Sequence, residues 1–188
     1  MKFAKLSLAM LFSASCFAVQ AQAADGEINF QGTVTSNTCS AAVSDVNGGG
    51  AGSVTMGTVT ALSLAKAGDR AGASAFELSL VAPAVGEGET NNCDLAAGTA
   101  TVRFMSMNGA AGANGEWVGL TNVGTEGVAK NVAIQIRDTT GNVVAMGQDS
   151  TIYENLTEPM RFTANYIATG AATAGEANAK VAFSIDYK

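Results

Sequence analysis

The chain has 188 residues, with 10 Lys or Arg against 16 Asp or Glu, a net charge of −6 and no histidine. An acidic balance of this kind argues against nucleic acid and anionic lipid, whose phosphates call for Lys and Arg. Without histidine, Ser-His-Asp and Cys-His nucleophile activation and histidine-held zinc or copper are excluded.

The first segment reads as a secretory signal peptide over residues 1–23. Lys2 and Lys5 form a positive start, Leu6 to Val19 an apolar run, and Ala21-Gln22-Ala23 a small-residue cleavage site. The run falls short of the roughly 20 apolar residues of a spanning helix. Cleavage leaves Ala24–Lys188, enough for one domain with a sizeable core, and removes two of the positive charges. Glycine, alanine, threonine and valine dominate what remains, which points to an all-β chain.

The start of the processed chain reads as a strand. Ile28, Phe30 and Val34 share one face with Gly32, while Glu27, Asn29, Gln31 and Thr33 take the other. Two cysteines lie outside the signal, Cys39 and Cys93. In an oxidising compartment an even pair favours one structural disulfide. Closing so long a loop is worth about 4 kcal/mol in the chain-entropy account.

Short strands follow, separated by turn residues. Val54-Thr55-Met56 comes after a glycine cluster; Phe76, Leu78 and Leu80 alternate, then Ala100, Val102 and Phe104, then Val132, Ile134 and Ile136. Asp138-Thr139-Thr140-Gly141 reads as a turn into Val143–Met146. Phe162, Ala164 and Tyr166 alternate before a loose link over Gly170–Asn178. Helical turns are expected at Ala61–Ala67 and Thr151–Leu156. The chain closes on a strand in which Val181, Phe183, Ile185 and Tyr187 face one way, with Lys188 last. About seven or eight short strands with turn-rich links make a β-sandwich.

No catalytic, metal or cofactor constellation emerges. The carboxylates are scattered through predicted loops, where solvated surface charge is the simpler reading. The Glu87–Asp94 stretch lacks the spacing of a calcium loop. Trp117 and Met56, Met105, Met107, Met146 and Met160 are expected in the core.

The terminal stretches ADGEINFQGTVTSNTC and RFTANYIATGAATAGEANAKVAFSIDYK, with GSVTMGTVTALSLAKAG and KNVAIQIRDTTGNVV between them, resemble type 1-like fimbrial major subunits of the chaperone–usher pathway. The segment between Leu80 and Cys93 is longer than that family's usual link. The resemblance implies an incomplete immunoglobulin-like β-sandwich that lacks its last strand and is completed by a donor strand from a neighbouring subunit. Residues 24–37 would be the donor-strand extension and 38–188 the pilin domain. The donor face would be Gly26, Ile28, Phe30, Gly32 and Val34. The acceptor groove and chaperone contact would involve Val181, Phe183, Ile185, Tyr187 and Lys188. The implied partners are copies of the chain, a periplasmic chaperone, an outer-membrane usher and other fimbrial subunits. The implied route runs through the periplasm to a surface fimbrium that supports cell adhesion. Two alternatives stand beside this reading: a minor adaptor pilin, and a secreted β-sandwich module that binds carbohydrate.

Overall fold

Apolar side chains at every second position give each long strand one face to bury, and two sheets packed face to face satisfy them. The structure, a computed structural model, describes residues 39–46, 52–82, 93 and 95–188, all within the compact unit Ser36–Lys188. The expected signal peptide and N-terminal extension lie outside the described residues.

Eight strands occur in the order β1 (Ser40–Asp45), β2 (Arg70–Val81), β3 (Ala100–Ser106), β4 (Ala110–Ala111), β5 (Trp117–Val118), β6 (Val132–Asp138), β7 (Met160–Ala168) and β8 (Val181–Tyr187). The larger sheet runs β1-β2-β7-β6-β5-β4, and the smaller pairs β3 with β8. Every ladder is antiparallel. Phe76 and Phe162 stack on the large sheet, 5.5 Å between centroids, and both meet Phe104 from the small sheet edge-on at 6.1 and 5.1 Å. Leu78, Val102, Val118, Ile136 and Met160 fill the space around them.

β2 carries a bulge between Ala71 and Ser74. Gly72 sits there at φ +66°, where an added Cβ would stand 2.8 Å from Val59 Cγ1. Only glycine lets residues 56–59 lie down over the bulge.

Several local expectations differ from what is observed. Residues 151–156 form no helical turn. Instead Tyr153 exchanges two main-chain bonds with Ala100 (2.8 and 3.0 Å), and Asp149 bridges to Arg103, so this segment lines the outer edge of β3. Those backbone groups had a neighbouring edge to satisfy, and tertiary pairing overrides local propensity. Ala61–Leu64 is one 3-10 turn. Gly170–Asn178 is not loose: Ala172 N bonds Leu64 O, Lys130 N bonds Thr173 Oγ1, Glu176 N bonds Gly127 O, and Thr121 N bonds Asn178 O. Met160 is buried, but Met105 and Met107 are exposed, on the outer face and past the end of β3.

Candidate functional site

β3 and β8 have the same length and carry apolar residues on the same inner face, yet they are buried very differently. Val102 and Phe104 are 0% and 2% exposed, whereas their cross-strand partners Ile185 and Phe183 are only half-buried. The cause is position. β3 has β8 on one side and the 147–153 segment on the other, while β8 has no partner on its second edge among the described residues.

The register says which groups that edge presents. Lys188 and Thr99 exchange two main-chain bonds, 2.8 and 3.3 Å, and Met107 N bonds Lys180 O at 3.0 Å. Bonded pairs alternate in an antiparallel ladder, so Ala182, Ser184 and Asp186 turn their N–H and C=O toward β3. Val181, Phe183, Ile185 and Tyr187 therefore turn theirs outward, along the same edge on which their side chains reach into the sandwich. Each unpaired main-chain group there wants a partner strand.

Beside this edge runs a groove of about 720 Å³. Val181 and Phe183 form one wall together with Ala177, Asn178 and Ala179. The opposite wall is the extended segment Gly52–Thr58, whose place in the fold has no sequence signal beyond an alternation at Val54 and Met56. It is held by Gly52 N donating to Val43 O at 3.2 Å, Thr55 N donating to Asp45 Oδ2 at 2.8 Å, and Ser74 Oγ donating to Thr55 O at 2.7 Å. The floor is the inner face of the large sheet, with Phe76, Leu78, Ile134, Ile136 and Tyr166. Burial pushes the Tyr166 hydroxyl above its ordinary value. Among the described residues, no charged side chain lines the groove.

Ile185 and Tyr187 lie on the same strand face, half-buried and packed against the core, outside the groove's lining. Lys188 is exposed and its main chain completes the ladder with β3. Cys39 and Cys93 form a disulfide with Cα atoms 5.1 Å apart, fixing the start of β1 to the chain before β3. Gly26, Ile28, Phe30, Gly32 and Val34 lie outside the described residues. Among the described residues no group of three or more His, Cys, Asp or Glu side chains is placed to hold a metal ion.

The chain has relatives in sequence and in fold. The model of the family described as fimbrial protein matches residues 28–188. The fimbrial subunit type 1 of Klebsiella pneumoniae is 32% identical over 97% of this chain and 94% of its own length. The type-1 fimbrial protein A chain of Escherichia coli K12 is 31% identical over the same shares. Among solved structures, the P pilus rod subunit PapA superposes with a TM-score of 0.51 at 19% identity, over 86% of this chain and all of PapA, which speaks to the fold alone. The relatives are structural subunits, not enzymes, and the sandwich is immunoglobulin-like. The chain belongs to the fimbrial protein family.

Proposed function

We propose that the chain is a rod-forming subunit of a surface fimbria, and that it polymerises by donating its N-terminal extension to the groove of the next copy. One observation carries the reading: β8 leaves a main-chain edge unpaired, among the described residues, beside an uncharged groove that reaches the core. An extended apolar segment meets both needs at once, by adding a strand to the edge and side chains to the core. Residues 24–37 supply such a segment, with Gly26, Ile28, Phe30, Gly32 and Val34 on the inserting face. Burying Ile28, Phe30 and Val34 contributes roughly 5–8 kcal/mol before any main-chain bonding.

An isolated subunit with this edge open is prone to aggregate. A periplasmic chaperone that occupies the groove, contacting Val181, Phe183, Ile185, Tyr187 and Lys188, would protect it until exchange at an outer-membrane usher. The route is thus through the periplasm to the cell surface, where the fimbria supports adhesion.

The test is a deletion of Ala24–Val34 alongside Gly32→Leu. Both should leave a folded, chaperone-bound subunit and abolish surface filaments, because the extension serves a neighbour rather than its own core. Filaments that persist in either variant, seen by electron microscopy, would remove the donor role.

A further inference from the structure

Large apolar side chains are exposed at both poles and on the flanks of the sandwich. The three most exposed among the described residues are Leu62 (84%), Val123 (68%) and Met107 (65%). All three stand at one pole of the sandwich, where β2, β6 and β8 begin and β3 and β7 end. Main-chain and side-chain bonds gather them there. Asn108, next to Met107, accepts from Thr121 Oγ1 (3.2 Å), two residues before Val123; Leu64, on the same turn as Leu62, accepts from Ala172 N; and Thr121 N bonds Asn178 O. The opposite pole carries the disulfide, the Ser40–Val81 pairing and the Thr99–Lys188 pairing, with Val81 and Ile152 exposed there.

We infer that the Leu62–Met107–Val123 pole receives the Cys39-bearing pole of the next copy, so that the filament has a head-to-tail apolar contact in addition to the inserted strand. The inference rests on the donor-strand reading above. Its first support is direction. Every ladder in the sandwich is antiparallel, and a donor antiparallel to β8 enters at the Tyr187 end and leaves at the Val181 end. A parallel donor would instead bring the neighbour to the pole from which the chain's own extension departs, so that two links would compete for one end.

The second support is length. The inserting face ends at Val34, and the four residues 35–38 separate it from Cys39. Val34 and Cys39 are five Cα steps apart, at no more than about 3.6 Å each roughly 18 Å, so the neighbour's Cys39 pole is held close to the acceptor's Val181 end. The pole at that end is where the exposed Leu62, Met107 and Val123 stand. A contact between unlike poles is heterologous and propagates into an open filament. With the copies already joined by a strand, even a small apolar patch acts at high effective concentration.

The test compares full-length Leu62→Glu/Val123→Glu with wild type and with Val143→Glu, a charge placed on an exposed position at the side of the sandwich. Two readouts are taken: the melting-temperature rise that a synthetic Ala24–Asn37 peptide produces in the subunit, and the length and dissociation temperature of filaments from cells. The expected result is an unchanged peptide response in all three, with the double variant's filaments at least threefold shorter and dissociating at a lower temperature, and Val143→Glu filaments like wild type. Double-variant filaments as long and as heat-resistant as wild type overturn the polar contact while leaving the groove in place. Equal weakening by Val143→Glu also overturns it, since any added charge would then suffice. A wild-type subunit that gains nothing from the peptide overturns the donor reading and this inference with it.

Discussion

Asp138 closes β6 and is almost fully buried, yet it faces a full set of donors. Oδ1 accepts from Thr140 N, Thr140 Oγ1 and Asn142 N at 3.0, 2.6 and 3.1 Å, and Oδ2 accepts from Thr151 N at 3.3 Å. Burial alone would raise its pKa, but the hydrogen bonds outweigh it and hold the carboxyl below the ordinary 3.8. A depressed folded pKa means the contribution is complete above the unfolded value and is lost as pH falls through the folded one. Asp138→Asn should therefore cost about 1–3 kcal/mol at pH 7, because an amide cannot accept on both sides. In urea titrations the gap between variant and wild type should narrow below about pH 4, where the unfolded carboxyl takes up its proton; a constant gap down to about pH 2 would contradict the assignment. The turn at Asp138-Thr139-Thr140-Gly141 is visible in the sequence, since Asp and Gly signal it locally. The bond to Thr151 is not visible there, because it joins residues far apart along the chain. Gly175 is hidden for a similar reason: an added Cβ would stand 2.6 Å from Val128 C and 2.7 Å from Gly127 O, a close backbone approach that no side-chain pattern announces.

Strands whose apolar faces alternate over seven or more residues, such as β3, β6, β7 and β8, are legible in the amino-acid order alone, because alternation is a local property. The two-residue strands β4 and β5 have no period to detect, and the wall at Gly52–Thr58 owes its place to Asp45 and Ser74 rather than to its own pattern. Which main-chain groups β8 turns away from β3 also depends on register, and register yields a sharp expectation. In a chaperone-free subunit the amides of Val181, Phe183, Ile185 and Tyr187 should exchange with solvent at least about tenfold faster than those of Ala182, Ser184 and Asp186, which point at β3. Adding the Ala24–Asn37 peptide should protect the first set and leave the second largely unchanged. Hydrogen exchange read residue by residue checks it; uniform protection along β8 before the peptide is added would mean its outer edge is already paired.

At the scale of the whole molecule, one covalent link and one shape complementarity stand against a uniform charge. The disulfide spans a sequence separation of 54 and ties the β1 end of the large sheet to the approach to β3. Cys39→Ala should lower subunit stability by about 2–5 kcal/mol, measured as a drop in the denaturation midpoint and in the yield of chaperone-bound subunit. Polymer stability should follow a different rule. Copies of an acidic chain, made more acidic by loss of Lys2 and Lys5 with the signal peptide, repel one another at long range, and the groove that would join them has no charged lining among the described residues. Screening shortens the repulsion, from a Debye length of about 10 Å at 0.1 M salt to about 3 Å at 1 M, and leaves apolar burial and main-chain pairing in place. Filament dissociation temperature should accordingly hold or rise as salt increases from low to molar concentration. A steep fall over that range would mean that ion pairs between subunits, rather than a strand seated in an apolar groove, hold the fimbria together.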